Sequence, residues 1–190
     1  MRLFFALEVG EPAAGTLRGA LEDLRGAGPD VKWVRTETFH MTLAFLGELP
    51  AERLEPAARA ARRLRGRQGP VRMAFDRLGA FPDWRSPRVL WAGLGEGAEP
   101  LSAAARILQD ALADEGFALE KRSFHPHATL GRVRSPRRLG PLRRRAERWR
   151  DARLWDEAAF EAGGIALFES RLSSEGPSYR AIERFPLPAP

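Results

Sequence analysis

Apolar positions along this 190-residue chain follow first a strand period and then a helix period, and the sequence of periods comes round twice. Leu3 to Val9 is a short apolar run, as a buried strand would be. After Glu11-Pro12, the residues Leu17, Leu21 and Leu24 recur at helical spacing until Gly26 and Gly28 close the pattern. Residues 31–34 read as a short strand and 40–46 as a longer one stopped by Gly47. Residues 51–65 read as a helix with Leu54, Ala58, Ala61 and Leu64 on one face. Shifted by 87 residues, the same order returns. A strand at 89–94 leads to a helix opened by Pro100 and lined by Leu101, Leu108 and Leu112. Then come a short strand at 117–121, a strand at 127–133 and, after Pro136, an Arg-rich helix with Leu142, Ala146 and Trp149 as its apolar stripe. Shared order and near-register mark an internal duplication, although residue identity between the halves is slight.

The remaining segments extend the sheets. Val71, Met73 and Phe75 alternate with polar or small neighbours, a half-buried strand. Residues 78–87 read as a loop bearing Phe81 and Trp84. Strands are expected about Phe160, across 165–172 and across 179–185, with a turn at 174–177 between the last two. The proline-rich 186–190 cannot extend a sheet interior. Long helices among many strands joined by tight turns predict an α+β fold with mainly antiparallel sheets.

Within the duplicated frame, one phrase recurs almost intact. His40-Met41-Thr42-Leu43 and His127-Ala128-Thr129-Leu130 both read His-x-Thr-Leu, 87 residues apart. Side chains alternate along a strand, so each copy presents an imidazole and a hydroxyl on one face and its leucine on the other. Two such units facing one another supply an acid, a base and two hydroxyl donors. A histidine whose ordinary pKa is about 6.5 serves as either acid or base near neutrality. The hydroxyls can donate to non-bridging phosphoryl oxygens as charge builds there. This is equipment for breaking a phosphodiester without metal. His125 makes a three-ligand metal set with His40 and His127 conceivable, but Pro126 disturbs strand parity and no Asp or Glu beside either motif would orient the rings. The expectation is therefore no metal and no cofactor. Arg132 lies five residues after His127, on the opposite face of an ideal strand, though Gly131 before it allows a bend toward a phosphate. Phe4, Trp33, Phe81, Trp84 and Tyr179 are candidates for stacking on a base.

Composition narrows the classes. No cysteine is present, which removes disulfides, thiolate nucleophiles and Cys-ligated zinc. No apolar run approaches the roughly 20 residues of a membrane span, and the short apolar opening is broken by Glu8 without a cleavage pattern. A cytoplasmic protein is expected. The net charge of +6 suits a polyanionic partner, yet nearly all of it is arginine, as a GC-rich coding sequence would also produce. At 190 residues the chain can build one substantial core or two small lobes sharing an interface.

The residues carrying these readings resemble the 2H phosphoesterase superfamily, named for two His-x-Thr/Ser motifs, and within it the RNA 2′,3′-cyclic phosphodiesterase (2′-5′ RNA ligase-like) family. The likeness runs from Arg2-Leu3-Phe4-Phe5-Ala6-Leu7 through Lys32-Trp33-Val34, residues 39–47 and residues 124–132. It continues to residues 167–172 and Gly176-Pro177-Ser178-Tyr179, with Gly131 standing where the family often has Ala. The resemblance implies a single bilobal domain over 1–190, each half giving one motif to a central groove lined by two sheets, with helices outside. It implies metal-independent hydrolysis of RNA 2′,3′-cyclic phosphate ends to 2′-phosphomonoesters by a monomer that does not bind membranes. By the same analogy His40 donates a proton to the leaving oxygen, His127 accepts one from water, and Thr42, Thr129 and Arg132 hold the phosphate. Nothing in the sequence itself separates the two histidine roles. Some relatives also join RNA ends through 2′-5′ linkages in the reverse sense. Competing readings are a non-catalytic nucleotide- or RNA-binding module of the same fold, and a phosphodiesterase for another cyclic or 2′-5′ nucleotide.

Overall fold

A computed structural model of the chain describes residues 1–65, 69–120, 123–173 and 176–187. In chain order these form β1 (Arg2–Glu8), α1 (Ala13–Arg25), β2 (Val31–Trp33), β3 (His40–Glu48), α2 (Leu54–Arg62), β4 (Val71–Phe81) and β5 (Val89–Leu94). After these come α3 (Ala98–Asp114), β6 (His127–Val133), α4 (Leu139–Arg148), β7 (Ala159–Ala162), β8 (Gly164–Ser173) and β9 (Gly176–Pro186). The strands make two sheets, β3-β1-β8-β9 and β2-β6-β5-β4-β7, and every pairing is antiparallel. The expected α+β class with antiparallel sheets is what forms.

The duplication is visible in the sheet order. Each sheet begins from its motif strand, then the first strand of that half, then two more: β3-β1-β8-β9 beside β6-β5-β4-β7. The sequence halves are nevertheless interleaved in space. β2, from the first half, adds to the edge of β6. α3 follows β5 but lies with α2, where Arg59 pairs with Glu115 at 2.8 Å, and it reaches β3 through Gln109. α1 follows β1 but lies with α4, where Asp23 takes the indole N–H of Trp149 at 3.0 Å and the guanidinium of Arg145 at 2.9 Å. Each lobe is therefore completed by elements from the other half, and β3 and β6 run beside each other where the sheets meet.

The helical stripes are buried as their spacing requires. Leu17, Leu21 and Leu24 of α1, Leu101, Leu108 and Leu112 of α3, and Leu142, Ala146 and Trp149 at α4 all belong to one continuous core. Each leucine so buried contributes roughly 1.5–3 kcal/mol. A second, smaller cluster of Phe4, Ala6, Ala166 and Phe168 lies on the other face of the four-stranded sheet, with Tyr179 and Ala181 against it. That face is the apolar floor of the site described below.

Five expectations need correction, the first being that β3 does not stop at Gly47 but pairs with β1 on through Glu48. β4 runs on through Phe81, so residues 78–81 are strand and the loop starts at Pro82. Gly79 sits opposite Trp91 in the ladder. Residues 117–120 form no strand; Phe117 is buried instead, with the Arg53 guanidinium 4.0 Å above its ring, and Lys121 lies outside the described residues. The second helix begins as a 3-10 turn at Ala51–Arg53 and its α-helical part ends at Arg62. α4 starts at Leu139 rather than just after Pro136, because Arg138 before it is left-handed (φ 58°). Of the expected turn at 174–177, Ser174 and Glu175 lie outside the described residues, as do 188–190. No helix among the described residues is long and apolar enough to cross a membrane.

Candidate active site

Both motif strands carry a bulge at the same place, one residue after the threonine. In β3 the partners step from Thr42 to Ala44, leaving Leu43 unpaired; in β6 they step from Thr129 to Gly131, leaving Leu130 unpaired. A bulge leaves a backbone carbonyl outside the ladder that must find another donor. The Leu43 carbonyl accepts from Gln109 Nε2 at 2.8 Å, and the Leu130 carbonyl accepts from the Val34 amide at 3.0 Å. The extra residue also reverses side-chain parity. In β6, His127, Thr129 and Arg132 thereby share one face, opposite Gly93, Trp91 and Val89 of β5. Arg132 thus reaches the site through the bulge at Leu130, not through a bend at Gly131. Gly131 has a different duty: a Cβ there would lie 2.6 Å from Val31, so the glycine lets β2 close onto β6. In β3 the matching face holds His40, Thr42 and Phe45, opposite Glu8, Ala6 and Phe4 of β1.

The two imidazoles are held alike. His40 Nδ1–H donates to the Thr38 carbonyl at 2.7 Å, and His127 Nδ1–H donates to the His125 carbonyl at 2.6 Å. A carbonyl oxygen only accepts, so both rings carry their proton on Nδ1 when neutral and keep Nε2 for chemistry. His125 itself is exposed, and its backbone serves as the orienting group.

Burial pulls the pKa of both rings below the ordinary value, because the charged form loses water, and the bond to the carbonyl opposes this in each. Their charged neighbours differ. His40 feels His127, so a charge on one ring disfavours a charge on the other, and it also feels the carboxylate of Glu8, which favours its cation. Positive charge on its neighbours His125 and Arg132 favours the neutral form of His127. Glu8 is itself held by Arg184 at 3.2 Å.

Aromatic rings wall each imidazole. Phe4 and Tyr179 stand 5.3 and 5.0 Å from the His40 ring, with Tyr179 edge-on. Phe81 and Trp91 stand 5.1 and 6.2 Å from the His127 ring, both edge-on. Phe4 and Trp91 are related by the same 87-residue shift as the histidines. A Cβ at Gly79 would overlap the Trp91 indole and one at Gly93 would lie 2.7 Å from it, so two glycines make the bed for that ring. The Tyr179 hydroxyl is kept protonated by burial, while Arg132 and Arg2 act against that. Arg132, on one sheet, is therefore felt by Tyr179 on the other.

The structure brings together His40, Thr42, His127, Thr129, Arg132, Phe4, Phe81 and Tyr179. It leaves out Trp33, which packs beside Gly131, and Trp84, which lies in the loop after β4. Trp91, Phe45 and Glu8 escaped the sequence reading. The 87-residue offset from Phe4 pointed to Trp91, whereas Phe45 needed knowledge of the bulge. Among the described residues no three His, Asp or Glu side chains gather as ligands for a metal ion.

Comparison with known proteins agrees with this layout. The family model described as LigT like Phosphoesterase matches twice, over residues 7–91 and 94–179, once for each half. A protein of Aeropyrum pernix named RNA 2′,3′-cyclic phosphodiesterase is 35% identical over 170 residues, covering 88% of this chain and 93% of its own. One of the same name from Archaeoglobus fulgidus is 34% identical over 189 residues, covering 97% of this chain and 99% of its own. A crystal structure of a Thermus thermophilus protein superposes with a TM-score of 0.80 at 28% identity, covering 98% of both chains. Escherichia coli LigT complexed with 3′-AMP superposes with a TM-score of 0.74 at 26% identity, over 98% of this chain and 97% of that one.

Proposed function

Since the chain belongs to the LigT-like phosphoesterase family, we propose that its groove hydrolyses RNA 2′,3′-cyclic phosphate ends to 2′-phosphomonoesters, with His40 as acid and His127 as base. The observation that carries this reading is the pair of imidazoles on neighbouring strands, each fixed through Nδ1 to a backbone carbonyl, with the charge of His127 felt at His40. Nε2 of neutral His127 takes a proton from water as the oxygen attacks phosphorus. Nε2–H of charged His40 gives its proton to the 3′-oxygen as the P–O3′ bond breaks, leaving a 2′-phosphate and a free 3′-hydroxyl. Each transfer is worth about 10²–10⁴ in rate. Glu8 favours a cation at His40 and Arg132 disfavours one at His127, while the charge of His127 opposes a cation at His40 more strongly than Glu8 favours it, so the assignment of acid and base is taken from the family. Thr42, Thr129 and Arg132 hold the non-bridging oxygens. Both imidazoles come from one chain, which supports a reading of residues 1–190 as one bilobal unit that acts as a monomer in the cytoplasm. Whether 2′-5′ joining also runs in this groove is decided by the same substrates in reverse.

The test is product analysis on an oligonucleotide with a 2′,3′-cyclic end, in the presence of chelator. A 2′-phosphate product, lost in His40→Ala and His127→Ala, is expected. Turnover that stops with chelator would overturn the metal-independent mechanism; tight binding without turnover would leave a binding module; faster turnover of another cyclic or 2′-5′ nucleotide would change the substrate.

Phe45 suits the base at the reacting end. It is 50% exposed, lies on the His40 face and stands 5.8 Å from Phe4. A base stacked on an aromatic ring gains about 1–3 kcal/mol, so Phe45→Ala is expected to raise KM by a factor of about 5 to about 160 with kcat little changed. An unchanged KM would remove Phe45 from the substrate site.

A further inference from the structure

The positive charge of this protein is not spread over it. Residues 132–153 hold ten arginines and two carboxylates, while the rest of the chain holds 21 basic and 23 acidic side chains. A GC-rich coding sequence accounts for arginine in place of lysine but not for this gathering. The segment starts in the groove at Arg132, passes through the turn after β6 and continues into α4. Some of its guanidiniums serve the fold: Arg138 donates to the Ala27 carbonyl at 2.9 Å, Arg145 pairs with Asp23, and Arg153 pairs with Asp151. Arg134, Arg137, Arg144 and Arg150 are exposed, and among the described residues none has a carboxylate within ion-pair distance. Where α4 ends, Arg143, Arg150 and Trp84 border a cavity of about 360 Å³.

We propose that this arginine face carries the body of the RNA strand whose cyclic-phosphate end occupies the groove. The inference rests on the reading that the groove takes an RNA end, because it is that end which brings a polyanion out past Arg132. Unpaired guanidiniums neutralise phosphates and release counterions, the main source of affinity for a single strand of any sequence. The cavity beside Trp84 offers a base an aromatic partner, which a flat anionic membrane surface would not use.

The experiment compares a dodecamer RNA bearing a 2′,3′-cyclic end with a nucleoside 2′,3′-cyclic phosphate. The variants are Arg134→Gln, Arg137→Gln, Arg144→Gln and Arg150→Gln combined, and the same four positions as lysine. In the glutamine variant kcat/KM for the dodecamer is expected to fall at least about tenfold, and the plot of log Kd against log salt to flatten by up to about 0.7 per arginine. Turnover of the nucleoside substrate stays at wild-type level, and the lysine variant keeps the salt slope. A glutamine variant with the wild-type slope, or an equal loss on both substrates, would overturn the proposal. So would phosphatidylglycerol-containing vesicles held more tightly than the dodecamer at equal salt and released by the glutamine variant. If the wild type turns over neither substrate, the functional reading fails, and fluorescence anisotropy of the dodecamer still decides the arginine face.

Discussion

Alanine at His127 is expected to lower kcat/KM on a 2′,3′-cyclic-ended RNA by about 10²–10⁴, and alanine at His40 by a similar factor. The double variant should be little worse than the worse single one, because an acid without its base has no step left to assist. The pH profile separates the two roles. Burial lowers both free-enzyme pKa values below 6.5, and repulsion between the rings parts them further. The working form carries one proton on the pair, so kcat/KM should be bell-shaped with its maximum on the acid side of pH 6.5. It falls as pH rises because His40 loses its proton, and falls as pH drops because His127 gains one. A bound phosphate anion favours both cations, so the kcat profile should lie to the alkaline side of the kcat/KM profile. Glu8→Gln removes the carboxylate that favours charged His40 and should move the alkaline limb to lower pH. An alkaline limb that does not move, or a kcat/KM maximum well above pH 7, would contradict the assignment.

The same depressed pKa values bear on stability. A histidine whose pKa is lower in the folded than in the unfolded state destabilises the fold as pH falls below about 6.5, since the unfolded chain takes up the proton first. The loss stops growing once pH passes the folded value. His40→Ala and His127→Ala should each weaken this acid-side loss, seen as a smaller drop in the urea midpoint between pH 7 and pH 5 than in the wild type.

Much of this site was legible because its two halves are written at one spacing. The histidines, the threonines and the Phe4–Trp91 pair all follow the 87-residue offset, and strand parity put each His and Thr on one face. Parity misled at Arg132, where a period of two held only as far as Leu130. Nothing local in Thr-Leu-Gly-Arg announces a bulge; it is stabilised from outside, by the Val34 amide just after β2, as Gln109 on α3 supports the bulge at Leu43. The exchange of β2, α1 and α3 between lobes was invisible for the same reason, since element order says nothing about which sheet an element joins. Residues 78–81 read as loop because the alternation of Val71, Met73 and Phe75 does not continue past Phe75 in the sequence; their strand is set by pairing with β5, where Gly79 makes room for the Trp91 indole.

The two bulges match, but the residues they turn to the site do not, so the proposed phosphate site is unequal and predicts an unequal pair of threonine variants. Removing one hydroxyl donor from a developing oxyanion costs about 10²–10³ in kcat. Beside Thr129 on the same face stands Arg132, the second donor of the proposed phosphate site when the hydroxyl is gone; beside Thr42 the equivalent position is Phe45, which carries no charge. Thr42→Val should therefore approach the upper end of that range and Thr129→Val the lower. Valine matches threonine in shape and favours strands, so neither variant should lose thermal stability, and a drop in kcat at unchanged Tm reads as lost donation rather than a damaged sheet. Arg132→Gln in the Thr129→Val background should then bring the β6 side down to the level of Thr42→Val. Equal losses at the two threonines, with no further effect from Arg132→Gln, would mean that the guanidinium never touches the phosphate, whatever face the bulge turns it to.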